Sequence, residues 1–155
     1  MRIALASDHA GYPLKQEIVD LLHAAGHETM DFGPDDENAC DLPDFVYPAS
    51  LAVGKGECDR GVFVDGVGYG SAMIANKVYG VYAAVAQDPF CAALARSHSR
   101  SNVLCLGGKI IGSALALEIV RVWMNTDWMT DEKYRRRVAK VVAINDRHLV
   151  PLDSF

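Results

Sequence analysis

The sequence predicts a single α/β domain in which a parallel sheet of five strands carries helices on both faces. Five short apolar runs alternate with stretches whose apolar residues recur at helical spacing, and no linker or internal repeat interrupts them. The chain has 155 residues, of which 50% are hydrophobic, and this suits one domain with its own core. We therefore expect a three-layer domain over residues 1–147, followed by a C-terminal tail over 148–155.

The predicted strands are short and apolar, as is typical of strands buried in a parallel sheet. In chain order they cover residues 3–6, 28–32, 60–64, 81–86 and 102–106. The predicted helices begin, in chain order, near Pro13, Val46, Ala72, Pro89, Ser113 and Thr130. Prolines suit first helical turns, and Asp88 is a typical helix cap. The tail carries the apolar residues Leu149, Val150, Leu152 and Phe155, and the sequence leaves open whether they pack on their own domain or on a neighbouring subunit.

Composition excludes several classes of protein. The formal net charge is −5, whereas a general nucleic-acid-binding protein needs a cationic surface. No stretch approaches the roughly 18 uninterrupted apolar residues of a transmembrane helix. The apolar run at 3–6 is too short for the core of a signal peptide. We therefore expect a cytoplasmic protein that binds neither nucleic acid nor a membrane.

The cysteines and the metal-binding residue types also narrow the prediction. None of the four cysteines forms a C-x-x-C pair or has a histidine at zinc-finger spacing. We expect all four to be reduced, with Cys91 and Cys105 buried as small hydrophobic residues. Because no set of His, Cys, Asp and Glu has the spacing of a metal site, we expect neither a metal nor a cofactor.

Charge is unevenly distributed along the chain. Residues 1–60 hold twelve acidic and four basic side chains, whereas residues 61–155 hold eight acidic and eleven basic ones. Six of these bases follow residue 130, and Lys133 and Arg137 share a helix face because they are spaced i, i+4. A local basic cluster on an acidic protein favours a small anionic ligand, so these two side chains are candidates for binding a phosphate.

Further candidate residues follow the strands, because ligands of open parallel sheets bind beyond the carboxyl ends of the strands. Asp8 and His9 follow the first strand, and Lys109 follows the fifth. After the third strand, the glycines of Gly66-Val67-Gly68-Tyr69-Gly70 alternate just before a helix. Such a turn exposes backbone N–H groups that bind an oxyanion. The alternative is a tight turn that only lets the helix pack closely.

Two titratable side chains are candidates for proton transfer. Asp65 is the last residue of the third strand, where loss of solvation favours a role as a base. The alternative is a helix cap or a hydrogen-bond anchor for the glycine loop. His98 ends the helix before the fifth strand, where it either acts on a ligand or only interacts with the helix dipole.

Together these residues resemble a known family. The segments Ser7 to Gly11, Asp65 to Ala72, Ala75 to Lys77, His98, Asn102 to Leu104 and Gly107 to Lys109 are similar, in order, to the type B ribose-5-phosphate isomerase and galactose-6-phosphate isomerase family. The resemblance implies a flavodoxin-like α/β fold and metal-free interconversion of aldose and ketose sugar phosphates. It also implies a homodimer or tetramer whose active sites lie between two subunits.

The resemblance implies a role for each matching position. Gly66, Val67, Gly68, Gly70 and Ser71 correspond to an anion hole for an enediolate. Asp8 and His9 match a substrate-binding pair, and His98 matches a histidine that assists ring opening. Ser99 stands at a substrate-binding position where an asparagine usually follows that histidine. Lys133 and Arg137 match two phosphate-binding arginines, and Lys109 matches a further basic residue of some members.

The chain departs from the family at the position of the base. Many members have a cysteine where this chain has Asp65, and others have a glutamate where it has Ser71, so Asp65 is the remaining candidate in that loop. Asp65 followed by Gly70 to Met73 resembles the A subunit of galactose-6-phosphate isomerase. The leading interpretation is an isomerase of ribose 5-phosphate and ribulose 5-phosphate. The alternatives are an A-type subunit that acts with a partner, or a phosphoacceptor receiver domain.

Overall fold

The computed structural model describes residues 1–152 and contains a five-stranded parallel sheet between two layers of helices. The strands are β1 Arg2–Ser7, β2 Glu28–Asp31, β3 Arg60–Asp65, β4 Ala83–Val85 and β5 Val103–Gly107. The helices are α1 Tyr12–Ala24, α2 Pro43–Gly54, α3 Tyr69–Ala75, α4 Pro89–Ser97, α5 Ser113–Asn125 and α6 Glu132–His148. The predicted fold class is confirmed, and the predicted cap of α4 is present, since the Asp88 side chain accepts from the N–H of Cys91.

The strand order across the sheet is β2-β1-β3-β5-β4. A flavodoxin-like sheet has the order 2-1-3-4-5, so the first three strands match it and the last two exchange places. Because β4 has only three residues and is half-buried, it suits the edge of the sheet. The exchange places β5 beside β3, with Asp65 paired to Gly107 at the carboxyl end.

Two apolar cores lie on opposite faces of the sheet, because successive residues of a strand point to opposite sides. Ile3 and Leu5 pack in the larger core with α1, α4 and α5, around the fully buried Trp123. Ala4 and Phe63 pack in the smaller core beneath α2 and α3. Burial of a large apolar side chain such as Ile3, Leu5 or Phe63 stabilises the fold by about 2 kcal/mol. The two cores therefore hold the strands, and with them the strand ends, in place.

A buried ion pair joins α1 to the end of β2. Lys15 is completely buried, and its Nζ donates to Asp31 Oδ1 at 2.7 Å and to the Pro34 carbonyl at 2.8 Å. The same Asp31 oxygen accepts from the N–H of Gly33 at 2.9 Å. A buried ammonium is tolerated only with such partners. These contacts therefore hold the turn after β2 at the carboxyl edge of the sheet.

The C-terminal part of the chain is only lightly attached to the domain. α6 buries Tyr134, Val138 and Asn145, whereas Val141 and Ile144 are 51% and 61% exposed. In the tail, Leu152 packs against the smaller core, so the described part of the tail lies on its own domain, and Phe155 lies outside the described residues. Among the described helices, none combines the length and hydropathy that crossing a membrane requires.

The four cysteines are free of disulfide bonds, and Cys58 and Cys105 are buried. Burial raises the pKa of the Cys105 thiol, which keeps it protonated. The predicted burial of Cys91 was wrong, because Cys91 is exposed. It lies in the first turn of α4, on the side that faces away from the core. The surrounding segment is apolar, so its composition did not indicate which side of the helix is buried.

Candidate active site

The turn after β3 is organised by one carboxylate. Asp65 is 4% exposed, and its Oδ1 accepts from the backbone N–H groups of Val67 and Gly68 at 2.8 and 2.5 Å. Its Oδ2 accepts from the N–H and the hydroxyl of Ser71 at 2.7 and 2.6 Å. Both carboxylate oxygens are therefore engaged by the loop, and the hydrogen-bond anchor left open by the sequence is present.

The same turn presents backbone donors to solvent. α3 begins at Tyr69, and in the described part of the chain the N–H groups of Tyr69 and Gly70 have no acceptor. Gly68, just before them, has φ +86°, and a Cβ there would also lie 3.1 Å from the carbonyl carbon of Leu106. The loop thus satisfies some of its donors with Asp65 and leaves others free for an oxyanion, as the glycine pattern predicts.

The turns after β1 and β5 flank this loop. Asp8 Oδ1 accepts from the N–H of Gly11 at 2.8 Å, and His9 lies in the same turn. A Cβ on Gly11 would lie 2.2 Å from the carbonyl oxygen of Val64, so α1 begins directly against the end of β3. On the other side, the N–H of Lys109 donates to the carbonyl of Gly66 at 3.0 Å. We call Asp8, His9, residues 65–71 and Lys109 the carboxyl-edge cluster.

His98 lies at the opposite edge of the sheet. It caps the C-terminus of α4 and precedes the first residue of β5 by five positions, so it lies near the amino ends of the strands. With Ser99 and Arg137 it lines a cavity of about 460 Å³. The side chains that line this cavity include none from the carboxyl-edge cluster.

An aromatic side chain holds this second group together. The ring of Tyr134 stacks on His98 with the ring centroids 4.5 Å apart and the planes inclined by 21°. Lys133 Nζ and Arg137 Cζ lie 4.8 and 5.8 Å from the centroid of the Tyr134 ring. Both cations therefore share the ring of one tyrosine, which agrees with their predicted position on one helix face. We call His98, Ser99, Lys133, Tyr134 and Arg137 the amino-edge cluster.

The predicted site residues thus fall into two clusters within one chain. β5 alone covers about 13 Å between the two edges, at a rise of about 3.3 Å per residue. Asp65 and His98 do not meet within the chain, because Asp65 ends β3 at the carboxyl edge and His98 precedes β5 at the amino edge. A site that uses both must draw them from two chains.

Three candidate residues were not predicted from the sequence. Tyr134 lies between two predicted phosphate-binding residues and was recognisable as part of the apolar face that continues at Val138. Tyr69 contributes only its backbone N–H, and the identity of its side chain does not indicate this role. Cys40 in the acidic loop has its Sγ 4.0 Å from His9 Nδ1, a contact between residues 31 positions apart that local patterns do not indicate.

Comparisons with known proteins identify the family of this chain. Residues 3–141 match the family model described as Ribose/Galactose Isomerase. Ribose-5-phosphate isomerase B of Escherichia coli is 36% identical over 146 residues, which cover 94% of this chain and 97% of that protein.

Solved structures extend this similarity. The structure of Clostridium thermocellum ribose-5-phosphate isomerase B superposes with a TM-score of 0.92 at 40% identity, covering 96% of this chain and 99% of that one. Ribose-5-phosphate isomerase B of Mycoplasma genitalium, solved with bound ribulose 5-phosphate, has a TM-score of 0.89 at 33% identity, with 94% and 96% covered. The chain is therefore an aldose–ketose isomerase of sugar phosphates and belongs to the ribose/galactose isomerase family.

Proposed function

We propose that the protein interconverts ribose 5-phosphate and ribulose 5-phosphate at sites built from two copies of the chain. The geometric observation that carries this proposal is the glycine loop after β3, whose Tyr69 and Gly70 N–H groups are free to bind an oxyanion. Full-length similarity to ribose-5-phosphate isomerases B supports the choice of a pentose phosphate. The ligand of the Mycoplasma genitalium relative, ribulose 5-phosphate, supports the same choice.

The proposed reaction moves one proton between neighbouring carbons. A base removes the proton from C2 of the open-chain aldose, the electrons shift onto the carbonyl oxygen, and an enediolate forms. Return of a proton to C1 yields the ketose. The free N–H groups of the loop stabilise the developing negative charge, since they need no reorganisation when it appears.

The amino-edge cluster supplies the remaining roles. Lys133 and Arg137, which both lie beside the ring of Tyr134, are proposed to bind the phosphate group, and Arg137 lines the same cavity as His98. His98 is proposed to transfer a proton to the ring oxygen when the closed sugar opens. Asp8 and His9 are proposed to bind sugar hydroxyls in the turn after β1, and Ser99 and Lys109 are proposed to contact the same substrate.

Asp65 is the proposed base, and its surroundings define what that role requires. Four hydrogen bonds occupy its two oxygens, so the carboxylate has to release at least one of them before it can accept a proton from the sugar. The alternative is that Asp65 only shapes the loop. Another group would then act as the base.

This alternative favours a second candidate function, an A-type subunit of a two-component galactose-6-phosphate isomerase. A chain in which the candidate base of the glycine loop is fully engaged would depend on a base from a partner. The receiver interpretation does not agree with the family assignment.

The test is an isomerase assay of the purified chain across tetrose, pentose and hexose phosphates. We expect the highest kcat/KM with ribose 5-phosphate for the chain alone. Activity that appears only on a hexose phosphate, and only after a paralogous subunit is added, would support the A-type subunit instead. Activity confined to another sugar phosphate without a partner would contradict the choice of ribose 5-phosphate and leave the isomerase assignment intact.

A further inference from the structure

A second cavity at the amino edge of the sheet is lined by three arginines. Its volume is about 410 Å³, and Arg60 from the start of β3, Arg96 from α4 and Arg100 from the following turn line it. It borders the cavity of the amino-edge cluster, since Tyr82 and Ser99 line both. None of the three arginines has a role in the proposed isomerisation.

The three guanidinium groups lack direct counter-ions. Within residues 1–152, no carboxylate oxygen lies within 4.0 Å of any of them. Asp59 also lines the cavity, but its Oδ2 accepts from the backbone N–H of Arg2 at 2.7 Å. Burial, followed by the positive charges of Arg60 and Arg100, lowers the pKa of Arg96 to about 10, against the opposing effect of Asp127. Like charges held this close destabilise one another, and an anion between them would remove that cost.

Aromatic rings hold the guanidinium groups in position. The Cζ atoms of Arg60 and Arg96 lie 5.3 and 5.7 Å from the ring centroid of Trp123, and Arg100 Cζ lies 4.9 Å from that of Trp128. A guanidinium over an aromatic face is attracted to the ring, and this contact uses none of its N–H groups. The arginines are therefore oriented before any ligand arrives.

Most donors of these groups remain available. Arg60 Nη1 donates to the carbonyls of Trp123 and Met124 at 3.4 and 3.0 Å, and Arg96 Nη1 donates to the carbonyl of Ser101. Each guanidinium has five N–H donors, so several remain after these contacts. Arg96 Nε is buried and has no partner in the described part of the chain. A buried donor without an acceptor is costly, which makes this atom the best indicator of a missing ligand.

We propose that Arg60, Arg96 and Arg100 form a second anion site, separate from Lys133 and Arg137, which binds a phosphate group. Guanidinium forks match the paired oxygens of phosphate, and three of them around one cavity favour a dianion over a monoanion. The phosphate group belongs either to inorganic phosphate or to a phosphorylated metabolite.

The test is a titration of the full chain with inorganic phosphate at constant ionic strength. Binding is monitored by the NMR signals of the arginine Nε–H groups. An Arg137→Ala background removes the candidate phosphate contact of the active site. We expect a saturable shift of the Arg96 Nε–H signal. Arg100→Asn is expected to weaken phosphate binding about tenfold through loss of one charge-assisted contact. Asparagine suits this position because Arg100 has φ +56°.

Matched variants complete the experiment. Arg136→Gln removes an exposed cation from α6 and is expected to leave the phosphate affinity unchanged. Arg60→Gln is a second variant inside the cavity and is expected to weaken binding as Arg100→Asn does. Unchanged affinity in both cavity variants, or an Arg96 signal that does not respond to phosphate, would overturn the proposal. A parallel titration with glycerol 3-phosphate, which is not an aldose or a ketose, assigns the source, since a shift of the Arg96 signal at lower concentration than with inorganic phosphate indicates a phosphorylated metabolite.

Discussion

Asp65 is buried at the end of β3, and both of its carboxylate oxygens are hydrogen-bonded to the loop that follows, as a buried charge requires. Each of its oxygens accepts hydrogen bonds from donors of the loop. The loop conformation and the position of the carboxylate therefore stabilise each other. Any change that alters this side chain therefore acts on structure and on chemistry together. Activity alone cannot separate the two roles, and a stability measurement has to accompany it.

We expect Asp65→Asn to lower kcat by a factor of about one hundred or more. We also expect the free energy of unfolding to fall by about 2 kcal/mol, because an amide nitrogen cannot accept from the loop donors. Steady-state kinetics and denaturant unfolding measure the two effects. Ser71→Ala, which removes one donor to Asp65, is the control and is expected to cost about 1 kcal/mol. Normal turnover in Asp65→Asn would exclude the base role, and normal stability would exclude the anchor role.

Tyr134 acts on His98 through its ring, so its variants distinguish stacking from hydrogen bonding. Tyr134→Phe keeps the stacked ring and is expected to retain kcat within about twofold, whereas Tyr134→Leu is expected to lower it about tenfold, because a misplaced group loses effective molarity. The comparison is made with a ring-closed substrate, for which His98 is the proposed proton donor. Equal losses in the two variants would show that the hydroxyl, rather than the ring, is important.

At the scale of elements, local signals predicted most of the fold. Glycines, prolines and the Asp88 cap indicated where strands and helices end. The exchange of β4 and β5 was not predictable, because a short apolar run does not specify its neighbour in the sheet. The burial of Lys15 was not predictable for a related reason, because its partner Asp31 lies on another element, 16 residues away.

The Lys15–Asp31 pair yields a prediction about stability. Asp31→Asn leaves a fully buried ammonium without its counter-ion, and we expect a loss of about 3 kcal/mol or more in the free energy of unfolding. Lys15→Met removes the buried charge and leaves Asp31, which is 34% exposed, in contact with water. This variant is expected to cost less than Asp31→Asn. Denaturant unfolding of both proteins measures the difference, and the reverse order would contradict the assignment of the cost to the buried ammonium.

At the scale of the whole molecule, the two clusters lie at opposite edges of the sheet. Apart from Tyr134, the members of both clusters were candidates from the sequence. The position of Lys133 and Arg137 on the terminal helix, beyond the last strand, also predicted that they lie too far from Asp65 for one chain to hold a small sugar between them. Val141 and Ile144 are exposed on the lightly attached α6 and are suited to contact a second chain. A two-fold dimer that sets the carboxyl-edge cluster of one chain against the amino-edge cluster of its partner completes two equivalent sites.

Mixed dimers test this arrangement. Asp65→Asn and Arg137→Ala are each expected to inactivate every site of their own dimers. After subunit exchange of equal amounts, half of the dimers are mixed and each mixed dimer has one intact site of two, so about a quarter of the wild-type activity should return. Exchange is verified by mass spectrometry of differently tagged chains. Absence of recovery after verified exchange would mean that each site lies within one chain.

Metal removal gives a further check at this scale. Across residues 1–152, no group of three or more His, Cys, Asp or Glu side chains is arranged to hold a metal ion. We expect isomerase activity to survive dialysis against EDTA unchanged, because the proposed oxyanion stabilisation comes from backbone N–H groups. Loss of activity that a divalent cation restores would contradict this prediction.

The stacking of arginines on tryptophan has a consequence for spectroscopy. The chain contains two tryptophans, and both lie beside the arginine cavity, with Trp123 Nε1 also donating to Ser101 Oγ at 2.9 Å. Indole emission depends on nearby charge, so an anion that enters the cavity changes the fluorescence of the unlabelled protein. Anion binding in the arginine cavity can therefore be followed by the intrinsic fluorescence of the protein, without a label.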